Sequence, residues 1–292
     1  DLGAGFVAIT SGTAVMGAPG SFSFTVAGKG TYVFAADGSW SFDPVPVVNA
    51  GNAGVDASFA YRITDGDNDV SEAVQSVTIT DGADPAKGAD ITLTLDDQNL
   101  ADGSTPAVPV TDTDTIGFTA GSDAIASIVF GTDLTALDAS NLTWTRVSDT
   151  RIEGTDTGSG LLVVTLELTR VGDSASVTAT LSDNYDAHPG FTADDLRNLG
   201  SVAVVATDSD GDTAVNTVTV AVSDDVPTAV AGPALSVVES AGASAGVNLL
   251  ANDVAGADGA AVSHVNLGAG FVAITSGTSL GGGSYSFVVA GK

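Results

Sequence analysis

Twelve consecutive residues recur unchanged in this chain: Leu2 to Thr13 reads LGAGFVAITSGT, and Leu267 to Thr278 reads the same, at an offset of 265. Past a two-residue difference in spacing the likeness resumes, with SFSFTVAGK ending at Lys29 and SYSFVVAGK ending at Lys292. A fixed period marks a tandem array whose units stack along one direction. The expectation is slightly more than one period of a long repeat, opened and closed inside a unit.

A weaker repeat lies within the first. Residues 64–85 read TDGDNDVSEAVQSVTITDGADP, and residues 207–227 read TDSDGDTAVNTVTVAVSDDVP. Each has an Asp-x-Asp-x-Asp run, then a Val/Thr alternation, then acid, then proline, so that two units end alike at Pro85 and Pro227. This divides the chain into the back part of one unit (1–85), a complete unit (86–226) and the front part of the next copy of the first (227–292).

Period-two alternation of Val, Thr, Ile and Phe between Gly, Asp, Asn and Pro predicts strands almost throughout. The expected strands are 5–10, 21–27, 31–36, 39–43, 58–64 and 73–80, then 89–95, 114–119, 124–130, 141–147, 160–170, 174–182, 201–207 and 214–223. In the last part they are 234–239, 246–250, 260–265, 270–275 and 284–289. One helix is expected at 193–199, with Thr192 as N-cap, Asp194 and Asp195 in its first turn and Gly200 past its end. Many short strands with turn signals at this spacing predict an all-β fold of tandem, Ig-like or cadherin-like β-sandwich units in an elongated array.

The acidic side chains narrow the function. The 292 residues carry 36 acids against 8 bases, a net charge of −28, yet 43% are hydrophobic, which excludes an acidic disordered tail. Such a surface repels phosphate backbones, so nucleic acid is not an expected partner. No cysteine is present, which removes disulfides, thiolate metal sites and a cysteine nucleophile. No run of 18 apolar residues suggests membrane insertion.

All but four of the acids are aspartates, and they cluster. Asp65-x-Asp67-x-Asp69 and Asp208-x-Asp210-x-Asp212 each place three carboxylates within five residues, beside Asn68 or Gly211. Like charges this close need a neutralising partner, and a divalent cation with six to eight oxygen ligands supplies one. Calcium (Ca2+) is the expected cofactor. Neither run is an EF-hand, because Ser76 and Thr219 stand where its bidentate glutamate would fall. Asp81 and Asp84 precede Pro85, Asp224 and Asp225 precede Pro227, and the strands beyond carry Asp96, Asp97 and Glu239. A sandwich is expected to gather its late hairpin loop, its outgoing linker and the edge of the next unit at one end, so that these acids share ions between units. Asn252, Asp253 and Asp258 form a third candidate patch, for an ion or for an Asx turn.

GTYVFAADGSWSF (30–42), FAYRITDGDNDVSEAVQSVTIT (59–80) and VNLLANDVAGADG (247–259) resemble the cadherin-like, VCBS-type repeats of giant bacterial RTX adhesins. ATDSDGDTAVNTVTVAVSDDVPTA (206–229) is similar to partner repeats of the same type I secreted proteins. The resemblance implies a structural extender, or stalk, on the bacterial cell surface. Such a segment is secreted unfolded, folds on meeting external calcium, and projects a distal binding domain in adhesion or biofilm formation. Its partners would be neighbouring repeats of the same polypeptide. Two other readings stand beside it: a filament or surface-layer subunit joined head-to-tail by strand complementation through its ends, and a ligand-binding adhesin domain. The last is disfavoured because Trp40 and Trp144 fall at core positions of their strands. No catalytic constellation is visible around His188 or His264, so no enzyme is expected.

Overall fold

The computed structural model describes residues 5–45, 54–138, 140–188, 195–238, 242 and 246–289. The fold is all-β, with 49% strand and, among the described residues, no helix of seven or more residues. No helix among the described residues is long and apolar enough to cross a membrane.

In the first segment, β1 (Thr13–Ala14), β2 (Ser21–Val26), β3 (Gly30–Ala35) and β4 (Trp40–Pro44) form one antiparallel sheet. Two small pairings lie beside it, β5 (Val55–Asp56) with β8 (Thr78–Ile79), and β6 (Phe59–Thr64) with β7 (Val70–Gln75). Its core is aromatic. Tyr32 is fully buried, satisfies its hydroxyl on the Ala57 carbonyl at 2.6 Å, and packs among Phe34, Phe42 and Phe59. Trp40 was expected in the core, but its strand lies at the sheet edge and leaves it 41% exposed, edge-on to Phe59.

The central unit holds the main core. Its first strand is split: β9 (Ala86–Lys87) pairs with one sheet, then Gly88 passes against the Gly117 carbonyl and β10 (Ile91–Asp96) joins the other. There follow β11 (Val110–Thr119), β12 (Ile125–Phe130), β13 (Leu142–Ser148), β14 (Arg151–Asp156), β15 (Leu162–Val171), β16 (Ser174–Leu181), β17 (Leu196–Asp208) and β18 (Thr213–Ser223). Strand order is β10-β18-β17-β12 in a four-stranded sheet and β13-β14-β15-β16-β11-β9 in a six-stranded one. All neighbours are antiparallel except β10 and β18, which run parallel. The alternation read from the sequence is visible in β16, where every second residue is buried. Leu93, Leu95, Phe130, Val204 and Val220 from one sheet meet Ile116, Ile152, Leu166 and Val177 from the other in a single core. Each such side chain contributes about 1.5–3 kcal/mol by leaving water.

Three expectations are corrected here. The helix at 193–199 is not formed at its described positions: Leu196–Leu199 open β17, paired with β18 from Leu196↔Ser223 onward, and the remainder lies outside the described residues. A seven-residue helix is marginal by itself, whereas the strand buries Leu199 completely. Gly200 is no helix cap but a bulge glycine at φ +97°, where a Cβ would stand 2.2 Å from the Ala136 carbonyl oxygen. Second, β14 has no counterpart among the expected strands. Third, residues 5–8, 234–238 and 246–248 form no strand; Ile9–Ser11 and Leu249–Asn252 are short 3-10 turns.

In the last segment β19 (His264–Asn266) pairs with β20 (Phe271–Ala273), and β21 (Thr278–Gly281) with β22 (Ser284–Ser286). The repeated sequence makes the same turn in both copies, although Phe271–Ala273 is a strand where its counterpart Phe6–Ala8 is not. Ile9–Ser11 and Ile274–Ser276 make the same turn, closed by Ser11 Oγ donating to Ala8 O at 2.7 Å and by Ser276 Oγ to Ala273 O at 2.6 Å. Gly12 and Gly277 both leave room for a phenylalanine ring, Phe24 or Phe287.

Candidate metal centre

The two triple-aspartate runs form the same loop. Asp208 Oδ1 accepts from the amides of Gly211 (3.0 Å) and Asp212 (2.8 Å), while its own amide donates to Asp212 O. Asp65 Oδ1 accepts from Asp67 (3.2 Å) and Asp69 (2.8 Å), and its amide donates to Asp69 O. Gly211 (φ 106°) and Asn68 (φ 76°) occupy the left-handed position each turn requires, the conformation that glycine and asparagine tolerate best. These donors hold Asp65 below its ordinary pKa, led by its contact with Asp67.

Their surroundings differ. The Asp65 loop is exposed at all three carboxylates. The Asp208 loop is packed against the linker that leads into the central unit. Ser122 donates its amide to Ala83 O at 2.8 Å and receives the Ala83 amide on its Oγ at 2.8 Å, fixing that linker beside the loop. Gly121 permits the contact, since a Cβ there would lie 1.6 Å from Ala83 O. Oxygens of Asp208, Asp210 and Asp212 come within 4.8 Å of one another, as do those of Asp81, Asp84 and Asp212, and of Asp81, Asp123 and Asp210. Six carboxylates from three segments thus converge, and none pairs with a basic side chain among the described residues.

Asp210 is the least satisfied of them. It is 5% exposed, and neither of its oxygens finds a donor among the described residues; Asp81 Oδ2 also has none. Contact with Asp208, burial, and repulsion from Asp208, Asp81 and Asp212 push Asp210 up to about 6. Burial, then Asp84 and Asp81, raise Asp212. Burial also opposes ionisation of Asp208, yet its contact with Asp210 and its amide donors outweigh that and leave it lowered.

The outgoing linker does not share this end, contrary to expectation. The loop 209–212 opens β18 while Asp224 follows its last residue, and an 11-residue strand at about 3.3 Å per residue separates the two by roughly 35 Å. Asp224 and Asp225 lie instead with Asp97. Asp225 Oδ2 accepts from Ser104 N (2.8 Å) and Ala257 N (3.0 Å), tying the last segment to the central unit. Asp258 joins the same end, accepting from Asn184, which also donates to Asp186. Burial, then repulsion from Asp258, raises Asp186.

Some candidates have other work. Asp96 caps the turn Asp97–Asn99 by accepting from Gln98 N at 3.0 Å. Asp253 Oδ1 accepts from Val230 N at 2.7 Å, and Asn252 Nδ2 donates to the carbonyls of Val230 and Ala231. That pair clamps residues 230–231, whereas Asp258 accepts from Asn184. Glu239 lies outside the described residues.

Sequence reasoning missed two participants. Asp123 was unremarkable in a chain so rich in aspartate, and only the fold brings it beside Asp210. His188 is 91 residues from Asp97 in sequence, yet its Nε2 stands 3.3 Å from Asp97 Oδ2. No protein-family model, curated protein or solved structure matches this chain.

Proposed function

We propose that the chain is an extender segment of a secreted, repetitive bacterial surface adhesin, in which Ig-like sandwiches run in series and Ca2+ stiffens their joints. The strand arrangement supports the Ig-like part of this reading. Two sheets, antiparallel except at β10 and β18, pack over one shared core, as in that fold class. The repeated segments at the two ends support the serial part.

The observation that carries the calcium part is Asp210: a carboxylate 5% exposed, with no donor for either oxygen among the described residues, grouped with the carboxylates of Asp81, Asp123, Asp208 and Asp212. Burying an unpaired charge is costly, and a hard dication that accepts six to eight oxygens removes the penalty. Magnesium, confined to six ligands and reluctant to shed water, suits this crowd of carboxylates less well. Because Asp81 and Asp84 belong to the linker and the other four to the sandwich, a shared ion converts a hinge into a rigid joint. The segment then acts as a spacer, and the reading assigns it no catalytic step.

Isothermal titration of Ca2+ into the metal-free chain tests this. The wild type is expected to bind saturably at or below millimolar Ca2+, and Asp210→Asn to lose at least one site. No binding at millimolar Ca2+, or the same isotherm for both proteins, overturns the reading.

A further inference from the structure

We propose that Asp97, His188 and Asp224, at the end of the central sandwich opposite the calcium candidate, form a site for a borderline divalent cation of the Zn2+ type. This does not rest on the extender reading, because its geometry and ligand chemistry are its own.

Register builds the acid pair. β10 and β18 run parallel with Asp96 opposite Ser223, so the next residue of each strand, Asp97 and Asp224, emerges side by side. Tyr185 brings the imidazole: its amide donates to Asp97 Oδ2 at 3.3 Å, and its ring, 2% exposed, meets the His188 ring edge-on at 5.5 Å. One atom from each of Asp97, His188 and Asp224 lies within 4.8 Å of the others.

Three observations point to a cation. The Asp97 residue is 1% exposed, its Oδ1 has no donor among the described residues, and the His188 side chain is 4% exposed. A buried carboxylate oxygen without a partner is expensive. The Nε2 to Oδ2 separation of 3.3 Å is long for a charge-assisted hydrogen bond, which closes to about 2.7–2.9 Å. It does match the edge of a coordination tetrahedron, since ligand bonds of about 2.0–2.1 Å at the tetrahedral angle place ligand atoms about 3.3–3.4 Å apart. The ligand set decides the metal. Calcium takes oxygen ligands, whereas one imidazole with two carboxylates suits zinc and its neighbours and leaves a fourth position for water.

Electrostatics agree with the geometry. Burial pushes Asp97 up to about 6 against the pull of His188 and the Tyr185 amide, and burial raises Asp224. Burial opposes a charge on His188, but Asp97, Asp224 and Asp195 outweigh it and raise the imidazole. Ala257 and Asp258 of the last segment meet this end through Asp225 and Asn184, so the cation would sit where that segment docks.

The test uses the full chain in excess Ca2+, so that oxygen sites are filled, with Co2+ as an optical probe and Zn2+ as competitor. One equivalent of Co2+ is expected to give the visible bands of a low-coordinate N/O site, displaced by Zn2+. Zinc should also shift the ring nitrogens of His188, and not those of exposed His264, in nitrogen-detected imidazole spectra of the wild type. His188→Gln should weaken Co2+ binding at least about tenfold while keeping the circular dichroism of the wild type. The proposal is overturned if neither metal binds in excess Ca2+, if only His264 responds, or if folded His188→Gln binds as before. Zinc binding by a chain that ignores Ca2+ would keep this site and remove the extender reading; the converse would do the reverse.

Discussion

Replacing Asp210 with asparagine should invert its effect on stability according to whether Ca2+ is present. The side chain keeps its shape and loses its charge. In chelator the wild type holds an unpaired carboxylate among four others, raised to about 6 and therefore a burden at neutral pH, where it must ionise. Asp210→Asn removes that repulsion, so the variant should melt above the wild type. In calcium the order reverses. A ligand at a hundredfold its Kd stabilises by about 2.7 kcal/mol. For a sandwich of this size, 1 kcal/mol moves Tm by roughly 4 °C, so the wild type should gain roughly 10 °C. The variant, with a ligand missing, should gain less than half of that. Differential scanning calorimetry of the full chain in chelator and in excess Ca2+ reads both differences. Fluorescence of Trp144 in a Trp40→Phe background, where it is the one indole left, assigns the transition to the central sandwich; Trp144 lies in β13 and donates its indole N–H to Asp138 O at 2.9 Å. Equal calcium shifts in the two proteins, or a variant that melts below the wild type in chelator, would refute the reasoning.

Other outcomes follow from the same structure. Leu199→Ala should cost about 2–5 kcal/mol in urea unfolding, because Leu199 is fully buried in β17; a cost below about 1 kcal/mol would return it to a surface helix. Gly200→Ala should cost at least about 1–3 kcal/mol by the same assay, from its positive φ and the Ala136 carbonyl in the way of a Cβ, and a neutral result would contradict the bulge. Asp138 is held below its ordinary pKa by the Ser140 amide and hydroxyl and then by Arg197. Its contribution to stability is therefore full above about 3.8 and lost as pH falls through the lowered value. Asp138→Asn should lose less stability than the wild type between pH 5 and pH 2.5, and equal losses would show that this carboxylate adds nothing.

Much of the fold was legible because a strand with one buried face writes its period into the sequence, as in β16 and β18. β14 escaped because only Ile152 and Gly154 occupy its buried positions, and Gly154 is there to admit the Trp144 ring rather than to add apolar area. The helix at 193–199 was misread because local signals stop at the residue, while the partner that makes Leu196–Leu199 a strand is β18, more than twenty residues on. The aspartate loops were legible from their spacing, while the role of Asn68 and Gly211 as their left-handed turn residues came only with the fold. Their docking was not. Which linker meets the Asp208 loop depends on the direction of β18, and the meeting of Asp97, His188 and Asp224 depends on a parallel pairing that no local spacing records.

Small-angle X-ray scattering of the wild type in excess Ca2+ and then in chelator tests the central claim, that a cation shared by Asp81, Asp84 and the Asp208–Asp212 loop stiffens the joint. The account predicts one rigid shape in calcium, and in chelator a rise in the normalised Kratky curve at high angle that Asp210→Asn shows already in calcium. Superimposable wild-type curves in the two conditions would contradict it.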